Sequence, residues 1–88
     1  MLNIFKLKKV LSKNYDGQRI YISTKGPISM NYFIDDTKVI VNSKRVIIGS
    51  STDNDFIIDL YLTKKISIDK SQFKIIFYFD DLEVELQV

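Results

Sequence analysis

A regular alternation of apolar and polar residues, in a chain with no alanine to favour helices, most constrains the fold. Residues that favour strands (Ile, Val, Thr, Phe and Tyr) make up 35 of the 88 residues. Apolar side chains occupy every second position in 73–79 and again in 82–88, which predicts two strands with one buried face each. Phe73 is expected on the buried face of the first strand, and Asp80-Asp81 predicts a two-residue hairpin turn between them.

Similar runs predict strands in the first two thirds of the chain. They are residues 19–23 and 28–34 around a Gly-Pro turn, 38–41 and 45–48 around a polar turn, and 56–62, continuing to Ile68 after a bend at 63–65. A polar loop is expected over 49–55. Because turn signals recur about every 8–12 residues, the pattern is typical of a small antiparallel barrel or split barrel. The fold-class prediction is therefore all-β, with seven to eight strands and a short N-terminal helix.

The N-terminal segment has a helical pattern instead. Ile4, Leu7 and Leu11 are spaced as one face of a helix, while lysines occupy much of the remaining surface. This spacing predicts a basic amphipathic helix over residues 2–13, which Asn14 and Gly17 would end. With residues 19–88 as antiparallel sheet and no linker in the pattern, residues 1–88 are expected to form a single domain.

The composition excludes several chemistries. The chain has no His and no Cys, so histidine acid–base catalysis, thiol nucleophiles and the usual zinc ligands are absent. Asp53 and Asp55 have the spacing of a calcium loop but lack the glycine and distal glutamate of an EF-hand. Glu83 and Glu85 share one face of a strand, where a solvated outer face that resists edge pairing is expected. We therefore predict a protein that is not an enzyme and binds no metal or cofactor.

The first segment concentrates positive charge. Residues 1–14 carry four lysines and no acid in a chain whose net charge is only +2. Together with a lysine pair further along, they form the predicted polyanion-binding site, which is Lys6, Lys8, Lys9, Lys13, Lys64 and Lys65. Its ligand would be an anionic membrane or a nucleic acid, and the tyrosines expected to be exposed as stacking candidates are Tyr21, Tyr61 and Tyr78. In the alternative interpretation the helix covers the sheet and its lysines are merely solvated.

Residues 37–88 resemble pleckstrin-homology and GRAM-type domains. The resemblance rests on the hairpin Val41-Asn42-Ser43-Lys44-Arg45-Val46-Ile47-Ile48, the strand Phe56-Ile57-Ile58-Asp59-Leu60 and the final hairpin of 73–79 and 82–88. It implies a non-catalytic binding module. Those domains close their barrel with a C-terminal helix, whereas this sequence ends in a strand pattern and carries its helix pattern at the other end.

These observations predict a binding or adaptor module that associates with another protein or with a membrane surface, in the cytoplasm. No signal-peptide core or membrane-spanning apolar stretch is seen in the sequence. Two alternatives stay open, a small-barrel nucleic-acid-binding protein and a structural subunit of a homo-oligomeric or virion-type assembly. The strand of residues 82–88 is expected either to lie centrally in its sheet or to pair with a symmetry mate, and a homo-oligomer is accordingly predicted.

Overall fold

The structure is a computed structural model that describes residues 4–50 and 56–88. These described residues form one α-helix, eight strands and a single 3-10 turn at Leu60–Leu62. In chain order the elements are α1 (Ile4–Asn14), β1 (Ile20–Lys25), β2 (Met30–Ile34), β3 (Lys38–Val41), β4 (Arg45–Gly49), β5 (Phe56–Asp59), β6 (Lys65–Asp69), β7 (Lys74–Tyr78) and β8 (Glu83–Gln87). The predicted fold class, mainly β with a short N-terminal helix, is confirmed.

The strands form two antiparallel sheets. The larger has the order β2-β1-β8-β7-β6 and the smaller has the order β3-β4-β5. Among the residues that the structure describes, β2 and β6 are therefore edges of the larger sheet, and β3 and β5 are edges of the smaller one. The arrangement is the open, split form of the predicted architecture, and the described strands do not close into a barrel.

The last strand, β8, lies in the middle of the larger sheet between β1 and β7. This confirms the prediction that residues 82–88 avoid a bare edge, and it does so within one chain. The prediction that Glu83 and Glu85 protect a sheet edge is wrong, because β8 has strands on both sides. The Lys74 amine lies 3.8 Å from the Glu85 carboxylate on the neighbouring strand, and both side chains are largely buried.

Three of the predicted turns are confirmed. Asp80-Asp81 links β7 to β8, with the Phe79 N–H donating to the Leu82 carbonyl across the turn. Asn42 accepts backbone N–H bonds from Lys44 and Arg45 in the turn between β3 and β4. Gly26, between β1 and β2, has φ of +151°, and a Cβ built there would lie 2.5 Å from the Asp81 carbonyl oxygen. Only glycine allows the two turns to approach so closely.

Two strand predictions need correction. The run from Phe56 to Ile68 is not one bent strand, because β5 ends at Asp59 and the 3-10 turn carries the chain to the other sheet. Phe73 is not in the core. It ends the turn between β6 and β7 with φ of +51° and is half-exposed. The predicted helical residues 2 and 3, and residues 51–55 of the predicted polar loop, lie outside the described residues.

One hydrophobic core joins both sheets and the helix. Ile75, Phe77 and Leu86 contribute to it from the larger sheet, and Val46 and Ile48 from the smaller one, all fully buried. The helix adds its own apolar face, Leu7, Val10 and Leu11. The helix thus lies at the β3 edge of the smaller sheet and buries this face in the core.

Candidate anion-binding site

A shallow basic groove of about 490 Å³ runs along α1. Lys6, Lys9 and Lys13 line it from the helix, and Lys70 lines it from the turn between β6 and β7. None of the described residues that line the groove is acidic. Four ammonium groups therefore border one surface that the helix and the larger sheet share.

The helical repeat explains why three lysines lie together. Positions 6, 9 and 13 are three and four residues apart, so their side chains lie on one flank of α1. The adjacent flank, with Leu7 and Leu11, is buried. Burial of the apolar flank thus holds the basic flank of the helix at the surface.

A capped turn positions the fourth lysine. The Asp69 carboxylate accepts hydrogen bonds from the Ser71 hydroxyl at 2.7 Å and from the backbone N–H groups of Ser71 and Gln72. The bond from the Ser71 hydroxyl is the main reason that the pKa of Asp69 lies below its usual value. Because these bonds fix the turn, Lys70 is presented toward the helix.

The structure brings only three of the six lysines of the predicted polyanion site together. Lys8 is exposed but lies outside the groove. The Lys64 amine is 3.8 Å from the Asp80 carboxylate, and the Lys65 amine is 5.5 Å from the ring centre of Tyr78. These two lysines stand at the start of β6, whereas Lys70 follows its end, five residues or roughly 16 Å away.

Sequence reasoning missed two residues of this surface, Lys70 and Phe5. The signal for Lys70 was Asp69 followed by Ser71, a pair typical of a side-chain-capped turn. Phe5 lines the groove with 87% of its surface exposed. It follows Ile4 in the helix, but its direction differs from that of the buried flank. An aromatic ring so exposed beside lysines is typical of a helix at a membrane interface.

The predicted stacking tyrosines do not join this site. Tyr61 is 89% exposed, and Tyr21 is half-exposed and packs against Phe33 at a ring distance of 6.0 Å. The basic groove is lined by none of Tyr21, Tyr61 and Tyr78. The surface therefore offers charge and one apolar ring, and not a row of aromatic rings on which successive bases could stack.

The tyrosine that directly follows the helix is unusual. Tyr15 is 1% exposed, and its hydroxyl has no hydrogen-bond partner among the described residues. Burial raises the pKa of Tyr15 to about 12. The backbone around it is fixed, since the Thr37 hydroxyl lies 3.1 Å from the Tyr15 carbonyl oxygen. The burial of this phenol in the hydrophobic core indicates a structural role.

Comparisons with protein-family profiles, curated proteins and solved structures find no match to this chain. In the described part of the chain, no group of three or more acidic residues is arranged to hold a metal ion. The single described helix is too short and too polar to cross a lipid bilayer.

Proposed function

We propose that this protein is a non-catalytic, cytoplasmic binding module that attaches weakly to anionic membrane surfaces through the basic groove on α1. The observation that supports the proposal is the shared position of Lys6, Lys9, Lys13 and Lys70, with no acid among the described lining residues. The proposal keeps the adaptor role that the resemblance to pleckstrin-homology and GRAM-type domains implies.

Charge and the exposed ring favour a membrane over a nucleic acid. Lysines close to an anionic bilayer each contribute about 1 kcal/mol, so four supply about 4 kcal/mol. This corresponds to a dissociation constant in roughly the millimolar range. Phe5 adds an apolar group that can enter the boundary between headgroups and acyl chains. Such weak attachment suits an adaptor whose second contact raises the overall affinity.

Vesicle sedimentation tests the proposal. At low salt the full chain is expected to sediment with phosphatidylcholine vesicles that contain phosphatidylserine, and not with phosphatidylcholine alone. Binding should disappear by about 0.2 M salt, because screening weakens contacts between exposed charges. Replacement of the four groove lysines by Gln should abolish it.

A matched variant controls for total charge. Lys25, Lys38, Lys44 and Lys65 lie outside the groove, and their joint replacement by Gln removes the same charge. This variant should retain most of the binding, and equal loss in both variants would contradict a localised site. Phe5→Ser, which leaves the charge of the chain unchanged, should weaken vesicle binding relative to the parent chain.

Binding of a single-stranded oligonucleotide tests the alternative interpretation, in which the ligand is a nucleic acid. If it binds the full chain through the groove lysines while vesicles do not, the nucleic-acid interpretation replaces the membrane one. If neither probe binds at low salt, the groove has no anionic ligand of these classes and the proposal is overturned.

A further inference from the structure

At the edge of the smaller sheet opposite the one that α1 contacts, an apolar groove of about 470 Å³ lies between the two sheets. Side chains of β5 line it together with residues from the turns that end β1 and β7. Tyr32 on β2 contacts Phe56 on β5, with ring centres 5.9 Å apart. The groove therefore follows the seam where an edge of the larger sheet approaches an edge of the smaller one.

Large apolar side chains remain exposed in this seam. Ile28 is 68% exposed, Leu62 is 56% exposed and Ile57 is 50% exposed, and all three line the groove. Apolar side chains gathered in one groove at a sheet edge are typical of a surface that a partner covers.

The backbone of β5 has one edge with no neighbouring strand among the described residues. β5 pairs with β4 on one side and is the last strand of its sheet among the described residues. Apart from the pairing with β4, no described residue makes a backbone hydrogen bond to Phe56, Ile57 or Ile58. An unpaired edge beside an apolar groove is the arrangement to which an extended peptide adds as a further strand.

The charge of the groove restricts the peptide. Its described lining residues include two acids, Asp59 and Asp81, and no Lys or Arg. Arg45 already pairs with Asp59 at 3.1 Å, whereas Asp81 makes no ion pair with any described residue. The groove thus complements an apolar segment that carries positive charge, and it would repel the acidic β8 segment of another copy.

We infer that this seam binds an extended segment of a partner protein, one that alternates apolar residues with polar ones and carries Lys or Arg at its ends. The segment lies along β5 as an added strand, places alternate apolar side chains in the groove, and has a basic end near Asp81. This site is distinct from the proposed membrane contact, because the two grooves share no described lining residue.

The test selects random linear peptides displayed on phage against the immobilised full chain and then measures synthetic copies by calorimetry. We expect enrichment of alternating apolar segments with basic ends. N-methylation of the backbone N–H groups that face β5 should weaken binding at least about tenfold, because an added strand depends on main-chain hydrogen bonds. Absence of enrichment, or no effect of N-methylation, would overturn the inference.

Two pairs of matched variants localise the site. Ile57→Asp should weaken peptide binding at least about tenfold, whereas Ile40→Asp, at an equally exposed isoleucine on the edge strand β3, should change it less than about twofold. Asp81→Lys should weaken basic peptides about tenfold, while Asp80→Lys in the same turn, outside the groove, should not. Circular dichroism checks the fold of each variant, and the charge pair decides the matter if Ile57→Asp unfolds.

Other occupants give different results. If sedimentation shows a dimer of the full chain that Ile57→Asp dissociates, a second copy covers the seam and the peptide inference is wrong. If replacement of the four groove lysines by Gln abolishes peptide binding, the peptides bind at the basic groove, which also overturns it. Retention of vesicle binding by Ile57→Asp distinguishes failure of this inference from failure of the proposed membrane function.

Discussion

The two edges of the smaller sheet, β3 and β5, have different surroundings. On one side α1 lies against β3 and buries Leu7, Val10 and Leu11, which leaves lysines at the surface. On the other side, where β2 approaches β5, no described element covers the groove, and Ile57 and Leu62 stay exposed beside acidic residues. The comparison shows that the helix buries apolar surface at one edge of this sheet, whereas large apolar side chains stay exposed at the other.

The largest expected effect distinguishes the covered side from the open one. Leu11→Ala removes a fully buried side chain from under the helix and should lower the free energy of unfolding by about 3–5 kcal/mol. Leu62→Ala on the open side should lower it by less than about 0.5 kcal/mol, since that side chain is mostly in solvent. Urea denaturation measures both. Similar losses in the two variants would show that the open groove is as tightly packed as the helix side.

The dependence of stability on pH tests burial on the helix side of this comparison. The unfolded chain ionises Tyr15 near pH 10, whereas burial next to the end of the helix sequence raises its folded-state pKa to about 12. Below pH 10 both states hold the proton and the residue contributes no pH dependence. Between pH 10 and 12 the unfolded state loses it first, so stability should fall by roughly 2–3 kcal/mol.

The Tyr15→Phe variant isolates this contribution from that of the lysines, which titrate in the same range. Its stability at neutral pH should equal or exceed that of the parent chain, because it removes a buried hydroxyl without a described partner. Its loss of stability between pH 10 and 12, measured by urea denaturation, should be smaller. Identical pH profiles for the two chains would place Tyr15 in solvent.

The smallest expected effect compares a glycine from each side. Gly26→Ala, in the turn beside the open groove, brings a Cβ against the Asp81 carbonyl and should cost roughly 1–3 kcal/mol. Gly17→Ala, after the helix, has φ of +82° but meets nothing within 4 Å, so only backbone strain of about 1 kcal/mol is expected. Thermal unfolding ranks the two. A greater loss at Gly17 would mean that the turns beside the groove separate easily.

Much of the local structure could be predicted from the sequence. Alternation identified the central residues of β7 and β8, and the turn residues placed the hairpins, because side-chain direction and turn geometry depend on near neighbours. The same reasoning was wrong for Phe73 and for the run from Phe56 to Ile68. In both places the apolar pattern continues past a change of direction that the backbone makes for reasons of packing.

The candidate site was predictable only in part. The helical repeat alone brings Lys6, Lys9 and Lys13 to one flank, as the charge pattern indicated. The same pattern also suggested Lys64 and Lys65, but these lie at the far end of β6. The expectation of a homo-oligomer stays a prediction, although β8 needs no second copy to pair its edges.

By itself the sequence determined a β-rich chain with a basic helix and tight hairpins, since these follow from propensity, periodicity and turn chemistry. The tertiary structure alone decided which edges meet. It placed Lys70 beside α1, set β8 between β1 and β7, and left one edge of β5 without a neighbouring strand among the described residues. Such pairings join residues far apart in the chain, and they are selected by how the whole core packs and not by any local pattern.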